Sequence, residues 1–195
     1  TGIVYEIPGV TSFVNLRSLL HQSVRRIGVI YRTGFEGFIE EQAKLAETEE
    51  FKLVPMLVDS GNMRRSLTRV LGKLLQGNKI DALWVLNDNA LLNKKLLQRG
   101  WLPALAKYKK PVLVGVGSLV SSRFSFGNFG VLPDHVALGV QAANIIFELS
   151  ESDWKLDSED LELPLAVKKV LLIDFARKNF DLNEENLGQI DRLVE

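Results

Sequence analysis

The 195-residue chain carries 24 basic and 24 acidic side chains, 46% hydrophobic residues and no cysteine. That is the composition of an ordinary globular protein with one large or two small domains. Zero net charge gives no reason to expect nucleic acid or an anionic membrane as partner, and the missing thiols exclude disulfides and thiolate metal sites.

Residues 2–7 alternate weakly, as a strand does, before the turn signal Pro8-Gly9. Thr11 or Ser12 can cap a helix whose apolar face carries Phe13, Leu16, Leu19 and Leu20. The apolar run Arg26-Ile27-Gly28-Val29-Ile30-Tyr31 reads as a buried strand, followed by a loop at Arg32-Thr33-Gly34 and a helix over 35–49. A strand over 51–58 leads to the turn Asp59-Ser60-Gly61-Asn62, whose Asn62 caps a helix with Met63, Leu67, Val70, Leu71 and Leu74 on one side. Residues 81–86 form the most apolar strand. It ends in Asn87-Asp88-Asn89 and opens a helix at Ala90 that uses Leu91, Leu92, Leu96 and Leu97. A further buried strand over 111–116 ends at Gly117-Ser118.

From 26 to 118 the order is therefore βαβαβαβ with short connections, which implies a doubly wound parallel sheet with helices on both faces. Ligands of such sheets bind at the carboxyl ends of the strands. That edge is expected at 31–37, 60–62, 87–89 and 117–119.

Beyond Val120 the pattern changes. Phe124, Phe126 and Phe129, with Gly127 and Gly130 between, read as an extended, bulged strand over 121–132. Asp134 caps a helix whose residues 136–147 carry no charge, and such a helix is expected to be buried on nearly all sides. An acidic loop over 150–160, short strands over 161–166 and 169–173, a helical turn over 175–180 and a last helix opened by Asn183-Glu184-Glu185 complete the chain.

No Gly-rich phosphate loop, no Gly-x-Ser-x-Gly elbow and no complete dinucleotide fingerprint is present, since Gly115 and Gly117 lack a third glycine. Neither His21 nor His135 is placed to serve Ser118, and both read as solvated. No catalytic residue, metal site or cofactor is assigned. Asp88 has two readings: a cap of the following helix, or a ligand group accepting from an amino group. A phospho-acceptor role is rejected because Tyr31-Arg32-Thr33 stands where a magnesium ion needs acids. Tyr31 and Thr33 either fill the sheet edge or donate to a bound carboxylate, together with the amides at 34–37. Trp84 and the phenylalanines Phe35, Phe124, Phe126 and Phe129 read as core, with one or more available to an apolar cleft. Arg64, Arg65, Lys94 and Lys95 read as solvated helix faces.

Taken in order, several segments resemble the ABC-transporter substrate-binding proteins that include tryptophan- and other aromatic amino-acid-binding members. These segments are Thr1-Gly2-Ile3, Arg25-Arg26-Ile27-Gly28-Val29-Ile30-Tyr31, Asp81-Ala82-Leu83-Trp84-Val85-Leu86-Asn87-Asp88-Asn89, Lys110-Pro111-Val112-Leu113-Val114-Gly115, Asp134 through Leu138-Gly139-Val140-Gln141-Ala142-Ala143, and the tail from Leu171. The resemblance spans essentially the whole chain. It implies a periplasmic-binding-protein-like type I fold. Residues 1–120 with 169–195 would form the second α/β lobe, and 121–168 would belong to a first lobe otherwise missing upstream, so that the chain is a fragment or a single-domain piece.

It further implies the binding component of an ABC import system, not an enzyme. A small ligand, an amino acid or small carboxylate, would lie against Tyr31, Thr33, Gly34, Phe35, Asp88, Asn89 and Ser118. Permease subunits would be partners, the location periplasmic or lipid-anchored, and the helix 136–147 a self-association surface. A ligand-sensing module of a signalling protein is the alternative. The chain departs from the family pattern at Arg123-Phe124, at Asp174, at Phe180-Asp181 and in the Arg-Thr-Gly-Phe loop 32–35. These changes lie near the expected cleft and hinge, so the ligand need not be aromatic.

Overall fold

The computed structural model describes residues 1–77, 79–124, 126–155 and 161–195. In chain order, β1 (Gly2–Ile3) and α1 (Gly9–Leu19) precede β2 (Arg26–Arg32), α2 (Glu36–Glu47) and β3 (Lys52–Val58). Next come α3 (Met63–Leu75), β4 (Ala82–Val85), α4 (Lys94–Leu96), a π-helical turn (Leu97–Trp101), α5 (Leu102–Tyr108) and β5 (Val112–Val114). The chain closes with β6 (Phe129–Pro133), α6 (His135–Glu151), β7 (Leu161–Glu162), β8 (Val167–Leu172), α7 (Ile173–Asn179) and β9 (Arg192–Val194).

Seven strands form one sheet in the order β3-β2-β4-β5-β6-β8-β9. Every neighbouring pair is parallel except β6 with β8. The α/β, doubly wound expectation is thus met, and the period-2 alternation of the strands shows how. Ile27, Val29, Ala82, Trp84, Leu113 and Phe129 face a core shared with α1 and α2. Ile30, Leu83, Val85, Val112 and Val114 face a second core shared with α3 and α5. Both faces are apolar because both are covered, which is why β2, β4 and β5 read as unbroken hydrophobic runs.

The structure differs from the sequence expectation at several places. β6 lies inside the main sheet, with Leu113 opposite Phe129 and Phe129 opposite Leu171. Phe129 and Val131 are buried in the α1/α2 core, so residues 129–133, expected in the other lobe, belong to this sheet. The extended stretch expected from 121 shrinks to β6; residue 125 lies outside the described residues, as do 156–160 of the expected acidic loop. The last helix is instead a 3-10 turn (Glu184–Gln189) followed by β9, held parallel to β8 through Val170 opposite Arg192.

Finally, α6 is not enclosed. Asp134 caps it as expected, accepting from the Val136 amide at 3.0 Å, but Gln141 is its one buried residue. Val136, Val140, Ile146 and Phe147 are exposed. The helix sits away from the sheet against the two-stranded β1–β7 ribbon. There the Gln141 amide donates to Glu162 Oε2 (2.8 Å) and to the Leu163 carbonyl (3.0 Å).

Candidate functional site

After β2 the chain runs through α2 to β3 on one side, then through α3 to β4 on the other. Connections leaving β2 and β4 toward opposite faces make the carboxyl ends of these two strands the topological switch point, where open α/β sheets form their ligand crevice. In register, Ile30 lies opposite Val85, so Arg32 closes β2 beside Asn87 and Asp88 beyond β4.

Here the chain places an ion pair. Arg32 Nε donates to Asp88 Oδ2 at 2.6 Å, while Asp88 Oδ1 accepts from the Ala90 amide at 2.9 Å. The Asp88 side chain is 3% exposed and that of Arg32 34%. The guanidinium lies 5.3 Å above the centre of the Phe35 ring. A buried carboxylate is stable only when paired, and here Arg32 and the turn amide supply the partners.

The helix expected to open at Ala90 does not form there. Residues 90–93 make a turn, and α4 begins at Lys94 with Asn93 as its cap, Oδ1 accepting from the Leu96 amide at 3.0 Å. Asp88 therefore caps the turn: its carbonyl accepts from the Leu91 and Leu92 amides, both at 2.9 Å. Trp101 Nε1 pins the same turn by donating to the Leu91 carbonyl at 2.9 Å. Ahead of α2, Glu36 Oε2 accepts from the Gly34 amide at 2.7 Å, which turns this carboxylate back onto the loop. Gly34 has φ +98°, a left-handed conformation that favours glycine.

Of the residues singled out in the sequence, Tyr31 is half-buried against the α1/α2 core, Phe35 supports Arg32, and Thr33, Gly34 and Asn89 are exposed around the crevice. Ser118 stands apart on the 3-10 turn Gly117–Leu119. It lines an apolar hollow of about 400 Å³ with Leu97, Leu102, Phe124 and Phe126. It also lines an open cleft of about 1050 Å³ with Tyr5, Gly115, His135 and Arg192.

Two features went unread in the sequence. The sequence puts Arg32 in a loop, whereas it is the last residue of β2; an opposite charge just beyond the neighbouring strand is the available signal. The segment 5–7 lies over the sheet edge, where Tyr5, Glu6, Asn87 and Gly115 help line a cavity of about 20 Å³, room for a single water. Desolvation raises the pKa of Glu6 there, although the residue as a whole is exposed. His135 is exposed but not free: Nε2 meets Tyr5 Oη at 3.0 Å and the two rings stack at 5.9 Å.

The chain matches no protein-family model and no curated protein. Solved structures do match. The ABC domain from Streptococcus pneumoniae, in complex with L-Trp, aligns over 100% of this chain and 64% of its own at TM-score 0.66 and 19% identity. A substrate binding protein with adhesive properties from Clostridium difficile, in a ligand-free, open structure, aligns over 100% and 62% at TM-score 0.67 and 15% identity. A periplasmic ribose ABC transporter protein from Conexibacter woesei aligns over 87% and 58% at TM-score 0.51 and 17% identity. The chain spans less than two thirds of each of these proteins. At these identities the likeness establishes the fold, which is periplasmic-binding-protein-like.

Proposed function

We propose that this chain is the ligand-holding part of a substrate-binding protein of an ABC import system. It would take a small molecule at the crevice between β2 and β4 and hold it against a second lobe by hinge closure. The observation that carries this reading is the paired Arg32–Asp88 charge at the switch point of a sheet whose fold is that of binding proteins. Tyr31, Thr33, Gly34, Phe35, Asp88 and Asn89 would surround the ligand, with Ser118 at the rim. Permease subunits and an extracytoplasmic location follow from the same reading, as does the absence of turnover. The two-stranded β1–β7 ribbon with α6 would belong to the other lobe, so that the crossings fall near residues 4–8, 134 and 166.

A thermal-shift screen against amino acids, small carboxylates and sugars tests it, run on this chain and on the full-length protein. A bound ligand at a hundred times its Kd stabilises the folded state by about 2.7 kcal/mol, a shift that is easily read. Stabilisation of the full-length protein by one compound class, without chemical change of that compound, is the expected result. Turnover of the compound, or no shift across the screen, would overturn the proposal.

A further inference from the structure

Resting on that reading, we infer that Arg32 is the anchor for an anionic group of the ligand, and that Asp88 positions Arg32 and does not receive a ligand ammonium. The two charges at the crevice are unequally available. Asp88 is sealed: one oxygen is held by Arg32 Nε and the other by the Ala90 amide, and its side chain is 3% exposed. A ligand amine would have to displace the arginine to reach it. Arg32 is a third exposed, and among the described residues its two terminal nitrogens take part in no hydrogen bond.

The pair thus engages Nε alone and leaves both terminal nitrogens available to a ligand. Two contacts restrain the guanidinium. The bond to Asp88 holds Nε, and the Phe35 ring, its centre 5.3 Å from the guanidinium carbon, lies against one side. A planar, pre-oriented fork with two parallel N–H donors is complementary to a carboxylate, and little rotamer entropy remains to be lost on binding. The nearest acid on the same loop, Glu36, is turned to the Gly34 amide. The charge offered at the crevice is therefore positive, and the ligand class is a small organic anion for which an α-amino group is dispensable.

Titration calorimetry on the full-length protein tests this with two matched series: L-phenylalanine, 3-phenylpropanoate and 2-phenylethylamine; L-leucine, 4-methylpentanoate and 3-methylbutylamine. D-ribose serves as a neutral probe. In a series that binds, the deamino acid should bind within about tenfold of the amino acid and the amine at least roughly a hundredfold more weakly, the scale of a lost buried charge contact. Arg32→Gln should remove acid binding and Arg32→Lys, which keeps charge but not the fork, should retain part of it. Asp88→Asn should weaken amino acid and deamino acid by the same factor.

An amine that binds as well as its acid, an Arg32→Gln protein with unchanged affinity, or an Asp88→Asn protein that loses only the advantage of the amino acid would each overturn the inference. Should Arg32→Gln fail to fold by circular dichroism, the wild-type comparison of acid with amine still decides. Binding of ribose alone would refute the anion anchor and leave the binding-protein reading standing, whereas no binding by any probe would refute both.

Discussion

Asp81 shows how much a single side chain can organise. It stands just before β4 and ties that strand to the start of β2: Oδ2 accepts from the Arg26 amide at 2.8 Å and the Arg25 amide at 3.0 Å, and Oδ1 from Arg26 Nη2 at 3.1 Å. Desolvation alone would raise its pKa, but the accepted backbone and guanidinium bonds outweigh it and the net shift is downward. A carboxylate with a depressed folded-state pKa contributes stability above its unfolded value and loses it as pH falls through the folded one. Asp81→Ala should cost about 1.5–3 kcal/mol near neutral pH. That deficit should shrink as urea melts are repeated at pH values below the ordinary aspartate range; a constant deficit would mean the charge is irrelevant.

Gly9 is a second such point. A Cβ there would sit 2.9 Å from Phe13 and from the Trp84 ring, so Gly9→Ala forces aromatic rings apart and should cost about 1–3 kcal/mol in the same melts. Neither effect is visible in composition. Both come from partners brought together by the fold, as does the Arg32–Asp88 bond between residues 56 positions apart.

At the scale of elements, the helices divide into those the sheet needs and one it does not. In α3, Leu67, Leu71 and Leu74 are buried to 2% or less, and Leu71→Ala should cost about 2–5 kcal/mol. On α6, Val140→Ser and Phe147→Ser remove side chains already in solvent and should fall within about 0.5 kcal/mol of the parent. A large loss from either would place this face in contact with something in solution.

The same division explains what was legible. β2, β4 and β5 were readable because double burial leaves a run of apolar residues, and α3 because Asn62 and the leucine spacing mark its start and its face. The stretch 90–108 was misread at its beginning because Asp88 and Asn93 both offer side-chain oxygens to nearby amides, and the geometry of the turn pinned by Trp101 decides which one starts the helix. β9 is hidden because Leu187, Ile190 and Val194 fall at helical spacing; it exists through its register with β8. α6 was read as enclosed because an uncharged helix signals burial without saying by what. Of the candidate site, the strand-end positions followed from βαβ order alone, while the pairing that sets their chemistry did not.

For the whole molecule, this predicts two levels of local stability in one chain. The central strands β2, β4 and β5 are hydrogen-bonded on both sides and buried between two apolar cores, so their amides can exchange only when the whole sheet opens. α6 is joined to the rest through the Gln141 bonds, the His135–Tyr5 contact at its first residue and the short β1–β7 ribbon, with one buried side chain in its length. A helix with so little apolar burial opens locally at a small fraction of the global free energy. In native-state hydrogen exchange, amides of α6 should exchange orders of magnitude faster than those of β4, with rates insensitive to low denaturant, while β4 amides follow global unfolding. If instead α6 proves as protected as β4, its apolar face is covered in solution. Repeating the exchange over a range of protein concentration then separates a second copy of the chain, whose protection grows with concentration, from cover that belongs to the same molecule.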